Sequence, residues 1–404
     1  MGKQEANLLP AFGRKRILLL ADAYRELAYS FQGIDDSLSD ISDRREVIYR
    51  KSLTESRKIM SLRLKELAER MEEVANESLT YIAPNARKVR ILKNGLAKHG
   101  ILLKEIYLLR KRKGDVRFVV TMRGQRNADY TTEDIAGVLT EIFRMPLVSA
   151  KENLFFVSDE YDTYIFESCG RYIFQTGFAV ATKENERVSG DNCLIYDVTG
   201  TKRVCLLSDG AGSGENACRD SEKVLELMEK YMDTGFSLEE ASAMVNGLFV
   251  ARGRDNLPTL DGCIIDLVEG SICFSKYGAC DSYIRRGTRA ERVENKNYPL
   301  GFRLKEKLGE SSDKSTVDLD DIYLRDNLYE LNEGDAVLMI SDGVLECYGD
   351  EKSLLQTFSK MEIKDAEEAA NFLMQCTIRR CAGRIRDDMT IIVGRITSVN
   401  ARHT

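Results

Sequence analysis

The stretch "RVCLLSDGAGSGENA", Arg203 to Ala217, decides how the chain is read. Val204, Cys205, Leu206 and Leu207 form a short unbroken apolar run, as in a strand buried on both faces, and the run stops at Ser208-Asp209-Gly210. A carboxylate therefore sits at a strand end. Gly210, Gly212 and Gly214 then allow a sharp turn and close approach to a ligand before a helix begins near Glu215. Such a loop is either a phosphate cradle or a metal-binding corner built from Asp209 and an exposed carbonyl. Neither G-x-x-x-x-G-K-[ST] nor a complete G-x-G-x-x-G is present, which favours the metal corner.

The same grammar recurs outward from this stretch. Asp342 and Gly343 follow the apolar run Val337 to Ile340, Asp387 and Asp388 precede the strand Thr390 to Val393, and Asp191 follows a glycine at another strand start. A single Asp-Gly is usually a turn. Several aspartates at strand ends, if the strands are neighbours, make an all-oxygen site suited to Mg²⁺ or Mn²⁺. Asp387 and Asp388 are alternatives, because adjacent residues on an extended strand face opposite sides.

In order, "SGD" (189–191), "SDGAGSG" (208–214), "YGACDSYIRRG" (277–287), "NYPLG" (297–301), "GDAVLMISDG" (334–343) and "DDMT" (387–390) resemble the metal-dependent PPM, or protein phosphatase 2C type, serine/threonine phosphatases. Within these the set is most similar to the stage II sporulation protein E branch, over roughly 171–396. The resemblance implies an α-β-β-α sandwich and two divalent ions, Mn²⁺ or Mg²⁺. It implies Asp209 as the bridging carboxylate, the Gly210 carbonyl and Asp191 on the first ion, and Asp342 and Asp387 on the second. It further implies a phosphorylated anti-sigma factor antagonist as substrate, activation of a sporulation sigma factor, and a division-machinery partner. Where eukaryotic members carry a histidine after "DG" this chain has Ala211, so turnover is expected to be slow. Arg384 and Arg386 are candidates for phosphate binding, with solvated surface charge as the plainer reading, and Asp261 reads as structural.

Composition sets the bounds. With 404 residues, 43% hydrophobic, the chain holds two or three domains with sizeable cores. A net charge of -6 excludes a general nucleic-acid binder. The 10 cysteines show no C-x-x-C pair, so neither a zinc site nor a disulfide framework is expected. The apolar core Ile17 to Ala21 is interrupted by Asp22 and is far below the roughly 20 residues that cross a bilayer. A cytoplasmic location follows, or the cytoplasmic face of a membrane if this is part of an anchored chain.

Three segments are expected: a helical, coiled-coil-like segment over 1–82, a small α/β regulatory domain over 83–170, and the phosphatase domain over 171–404. Leu27, Phe31, Ile34, Leu38 and Ile41, and Met60, Leu64, Leu67, Met71 and Val74, follow 4-3-4-3 spacing, which fits a helix packed on its own domain or a homo-oligomeric coiled coil. The α/β segment holds alternating "VRFVVTMRG", a turn at Lys113-Gly114-Asp115, a helix capped by Thr132, and "NLFFVSDEYDTYIFES" as a hairpin. In the third segment Ser213 is the expected cap of the helix after the Asp209 loop, Gly235 its end, and Ser237 with Glu240 a capping box for the next. The whole is a mixed α/β (α+β) chain. The alternative functional reading is a division-site scaffold with a weak or inactive phosphatase part.

Overall fold

The computed structural model describes residues 4–7, 11–32, 44–76, 78–110, 116–125, 130–252, 257–295, 297–302 and 327–399. Its contacts divide into two compact units, 1–170 with 199–201, and 171–198 with 202–404.

In the first unit, helices α1 (Ala11–Gln32) and α2 (Arg44–Asn76) run antiparallel, as shown by Arg14 donating to Asn76 and Ser61 Oγ donating to the Ala28 carbonyl at 2.7 Å. Their shared seam is made of small residues at sevenfold spacing: Ala21 and Ala28 on one helix, Ser61, Ala68 and Ala75 on the other, all nearly inaccessible. Small side chains let two backbones approach closely. Of the expected large-residue seam, Leu27, Met60 and Val74 are exposed, and Leu64, Leu67 and Met71 are half-buried. Ile34, Leu38 and Ile41 fall outside the described residues, as does the Lys113-Gly114-Asp115 turn.

Strands β1 (Gln4–Asn7), β2 (Ser78–Ile82), β3 (Ile101–Arg110), β4 (Val116–Gly124), β5 (Leu147–Ser149) and β6 (Asp162–Ser168) form one sheet in the order β1-β2-β3-β4-β6-β5. Helices α3 (Ala86–Lys98) and α4 (Thr132–Phe143) bury Leu92, Leu96, Ile135 and Leu139 against Phe118, Val120, Met122 and Phe166 of that sheet. The cap of α4 is Thr131, one residue before the expected Thr132, with Asp134 closing the capping box. The expected hairpin over 153–168 is instead an irregular loop leading into β6, and Phe155 and Phe156 point to solvent. No tight turn chemistry separates two strands there, and the apolar run pairs only through an isolated antiparallel bridge between Phe156 and Thr131.

The second unit is the expected α-β-β-α sandwich. One sheet runs β14-β11-β10-β9-β8 and the other β13-β12-β15-β16-β7, from β7 (Tyr172–Ala181), β8 (Asp191–Thr199), β9 (Lys202–Asp209), β10 (Leu260–Asp266), β11 (Ser271–Tyr277), β12 (Ser282–Arg286), β13 (Arg289–Val293), β14 (Asn327–Glu330), β15 (Ala336–Ile340) and β16 (Met389–Ser398). Cys205, Leu207, Cys263 and Phe274 of the first sheet meet Phe174, Ile284, Met339 and Ile392 of the second. Helices α5 (Glu215–Asp233) and α6 (Leu238–Arg252) cover the first sheet. Helices α7 (Asp342–Tyr348), α8 (Glu351–Lys360) and α9 (Ala366–Arg380) cover the second through Val344, Leu354, Phe358, Ala370 and Leu373.

Gly214, not Ser213, is the cap of α5, and the Ser213 hydroxyl donates to Glu186 instead. The Ser237–Glu240 capping box is present. Cys347 on α7 and Cys381 at the end of α9 are joined in a disulfide, against the expectation of free thiols. They are 34 residues apart in sequence, and only the packing of two helices brings them together.

Candidate active site

Four strand ends meet at one pole of the sandwich. Asp191 begins β8, Asp209 ends β9, Asp342 follows β15 through Ser341, and Asp387 lies just before β16. Asp209 is near enough to Asp191, Asp342 and Asp387 to feel all three charges. Burial first, and these neighbours second, push the Asp209 carboxyl up to about 8. Asp191, 4% exposed, is pushed by burial up to about 6, with the Asp388 and Asp342 charges adding; the Ser341 and Thr390 hydroxyls oppose the rise. Burial, then Asp387, raise Asp342 as well.

The backbone around each carboxylate is held by specific contacts. Asp209 N–H donates to Thr259 Oγ1 at 3.0 Å, Thr259 N–H donates back to the Asp209 carbonyl at 2.8 Å, and the Ser208 hydroxyl donates to the Thr259 carbonyl at 2.7 Å. Both Asp-Gly pairs exist because their glycines touch backbone. A Cβ on Gly210 would stand 2.0 Å from the Ala217 carbonyl oxygen, and one on Gly343 2.2 Å from that of Asp388. Any side chain at either place would push the neighbouring aspartate out of position.

The two adjacent aspartates divide their work. Asp388, 4% exposed, accepts the Lys183 N–H at 2.9 Å and the Gly190 N–H at 2.7 Å, fixing the loop that delivers Asp191. Asp387 is the one that faces Asp209 and Asp342, with Lys183 Nζ at 3.5 Å. Arg384 and Arg386 are exposed, in keeping with solvated surface charge.

Residues invisible in the sequence complete the surroundings. Ser221, buried on α5, donates to the Gly190 carbonyl at 2.6 Å, and Asn192 Nδ2 donates to Ser221 Oγ at 2.8 Å, so α5 is bonded directly to the Asp191 corner. The one signal was a small polar residue interrupting an apolar stripe. Beneath the site lies a fully buried ion pair, Lys276 Nζ to Asp261 Oδ1 at 2.7 Å, with 1% and 0% exposure. Lys276 also donates to Ser282 Oγ and the Cys280 carbonyl, and Ser282 donates to Asp261 Oδ2. This triad ties β10 and β11 of one sheet to β12 of the other, in keeping with a structural Asp261. Between it and the carboxylates is a cavity of about 30 Å³, lined by Asp209, Asp342, Thr259 and Cys280 and large enough for about one water.

The donor set fits divalent cations. Asp191 Oδ2 is buried without a hydrogen-bond partner, and among the described residues the only cation paired with this group of carboxylates is Lys183, at its edge. Among the described residues no three acidic, cysteine or histidine side chains close into a ready-made cage. A site of few carboxylates, a backbone carbonyl and several waters is the usual one for Mg²⁺, and it needs no such cage.

Residues 200–397 match the family model described as Stage II sporulation protein E. The stage II sporulation protein E of Bacillus subtilis (strain 168) is 26% identical over 354 residues, covering 86% of this chain and 40% of that protein. That of Priestia megaterium is 26% identical over 350 residues, covering 85% and 57%. The chain thus spans about half the length of these relatives. A solved structure of the PP2C phosphatase domain and a fragment of the regulatory domain of SpoIIE from Bacillus subtilis superimposes with a TM-score of 0.59 at 23% identity, covering 90% of this chain and 99% of that one. The fold is that of PP2C. Among the described residues no helix is long and apolar enough to cross a membrane.

Proposed function

We propose, on the premise that residues 200–397 are a protein phosphatase domain of the Stage II sporulation protein E family, that this chain hydrolyses phosphoserine or phosphothreonine in a protein with the help of divalent cations. The observation that carries the reading is the convergence of Asp191, Asp209, Asp342 and Asp387, with Asp209 pushed up to about 8 by burial and by the other three. A carboxyl in that state marks a place where positive charge is missing.

Asp209 would bridge two ions, with the Gly210 carbonyl and Asp191 on the first and Asp342 and Asp387 on the second; Mn²⁺ and Mg²⁺ both suit these oxygens. Bound there, the ions would supply an activated water and charge neutralisation for the phosphoryl oxygens. The chain's own contribution is placement. Thr259 holds the Asp209 backbone, Asp388 holds Gly190, and Gly210 and Gly343 let the two corners close on Ala217 and Asp388. Ala211 offers no proton to a leaving group, which points to slow turnover.

The favoured substrate is a phosphorylated anti-sigma factor antagonist, and the favoured control element is the α5–α6 pair, bonded to the Asp191 corner through Ser221. Misplacement by about 1 Å at a catalytic centre can cost roughly 100-fold in rate, so a partner or the N-terminal segments acting on these helices would switch the site. The division into 1–82, 83–170 and 171–404, with self-association through the N-terminal segments, belongs to the same reading. The purified chain, given a phosphoserine peptide, is expected to release phosphate with Mn²⁺ and none with EDTA. Hydrolysis at an equal rate in EDTA would refute the assignment.

A further inference from the structure

Two strands of the second sheet, β12 and β16, carry an arginine toward the end that lies away from Asp342. Register places Arg285 of β12 opposite Ala336 of β15, and Ala336 opposite Arg395 of β16. The two arginines therefore start from one face of the sheet about 10 Å apart, with only an alanine between them. They line a pocket of about 980 Å³ together with Lys360 and Lys364, from the end of α8 and the segment that follows it. Glu362 is the one acid on the lining, and Lys364 holds it at 3.1 Å.

Arg285 is 8% exposed. Its Nη1 donates to the Phe358 and Met361 carbonyls and its guanidinium lies over the Phe358 ring, but its Nε has no acceptor. Burial and the nearby Arg395 charge hold it below the usual arginine range. Arg395 donates to the Lys364 carbonyl. Among the described residues neither arginine, nor Lys360, forms an ion pair with an acid. Capping of α8 accounts for Arg285. It does not account for three further cations around the same space in a chain of net charge -6.

We propose that this pocket binds a small phosphate ester carrying at least two negative charges, of about nucleoside diphosphate size. Pockets of roughly 300–1,000 Å³ hold ligands of that size. Guanidinium forks match phosphate oxygens in pairs, the lysines add point charges, and Leu355 and Met361 give an apolar wall for the ligand's body. The site is distinct from the carboxylate pole, and its occupancy does not depend on whether that pole is catalytic.

The test uses the full chain in EDTA, where the carboxylate cluster repels anions. Titration calorimetry with ADP and with pyrophosphate should give saturable 1:1 binding that weakens as salt rises. The double variant Arg395→Gln/Lys360→Gln, which spares the buried Arg285, should bind at least about 10-fold more weakly, a loss of about 1.4 kcal/mol, with its unfolding temperature unchanged. Asp209→Asn should bind as the parent does. No heat at millimolar ADP and pyrophosphate, equal affinity in the double variant, or tighter binding of a glutamate-rich peptide than of either phosphate compound would each overturn the proposal.

Discussion

Asp209 and Asp261 stand on neighbouring strands, Asp261 opposite Leu207 in the β9–β10 ladder, yet they have opposite fates. Asp261 is the more deeply buried and has its own cation, Lys276, with Ser282 bonded to its other oxygen. Asp209 has three acids for neighbours. Burial alone therefore does not distinguish a carboxylate paired within the fold from one left among like charges. What distinguishes them is whether the fold supplies the opposite charge: the Asp261 pair is complete within the chain, and the Asp209 cluster is not.

The contrast can be broken from either side. The largest effect expected is that of Asp209→Asn, which removes the central carboxylate: activity with Mn²⁺ should fall at least about 10³-fold, ~4 kcal/mol in transition-state terms, with little loss of stability. Steady-state kinetics alongside urea unfolding would check both halves, and full activity would remove Asp209 from the site. Lys276→Met is expected to do the reverse, costing about 3 kcal/mol of stability by leaving Asp261 buried and unpaired. Adding Asp261→Leu should recover most of that loss, and a double variant no more stable than the single would contradict the ion-pair account.

A smaller change should follow Ser221→Ala. It removes one of two donors to the Gly190 carbonyl, which keeps the Gly210 N–H, and one acceptor of the Asn192 amide, which keeps the Cys218 carbonyl; the loss of stability should be about 1 kcal/mol, and Mn²⁺ binding measured by calorimetry should weaken. An unaltered Mn²⁺ affinity would detach α5 from the site. The mildest prediction concerns pH. Because burial and neighbouring charge raise Asp209 to about 8 in the fold, against the 3.8 of an ordinary aspartate, the metal-free fold holds more protons than the unfolded chain between those values. Its unfolding temperature should accordingly fall as pH rises from about 4 to 8. Mn²⁺, by favouring the charged form, should flatten that fall, and so should Asp209→Asn. A metal-free melting temperature that climbs steadily across this range would show that other groups dominate.

Much of the second unit was legible in advance because its signals are local. Apolar runs ending in Asp-Gly mark strand ends, and Ser237 with Glu240 marks a helix start, through contacts that span only a few residues. The first unit was harder. Its helix seam uses Ala21, Ala28, Ser61, Ala68 and Ala75, and small residues carry little hydrophobic signal beside leucines that turn out to be exposed. The loop over 153–161 misled for the converse reason, since Leu154, Phe155 and Phe156 look like a strand by composition, yet they are exposed and pair only through an isolated bridge from Phe156 to Thr131.

The sequence by itself determined that aspartates close several strands and that glycines follow two of them, since both are fixed by residue identity and spacing. It also left Asp387 and Asp388 as alternatives. Only the tertiary structure separated them, by turning Asp388 onto the amides of Lys183 and Gly190 and Asp387 toward Asp209 and Asp342. The Lys276–Asp261–Ser282 anchor, the Cys347–Cys381 bond and the Arg285–Ala336–Arg395 row were decided at the same level. Each depends on strand register or helix packing between residues far apart in the chain, and no local pattern encodes which distant side chain will stand opposite.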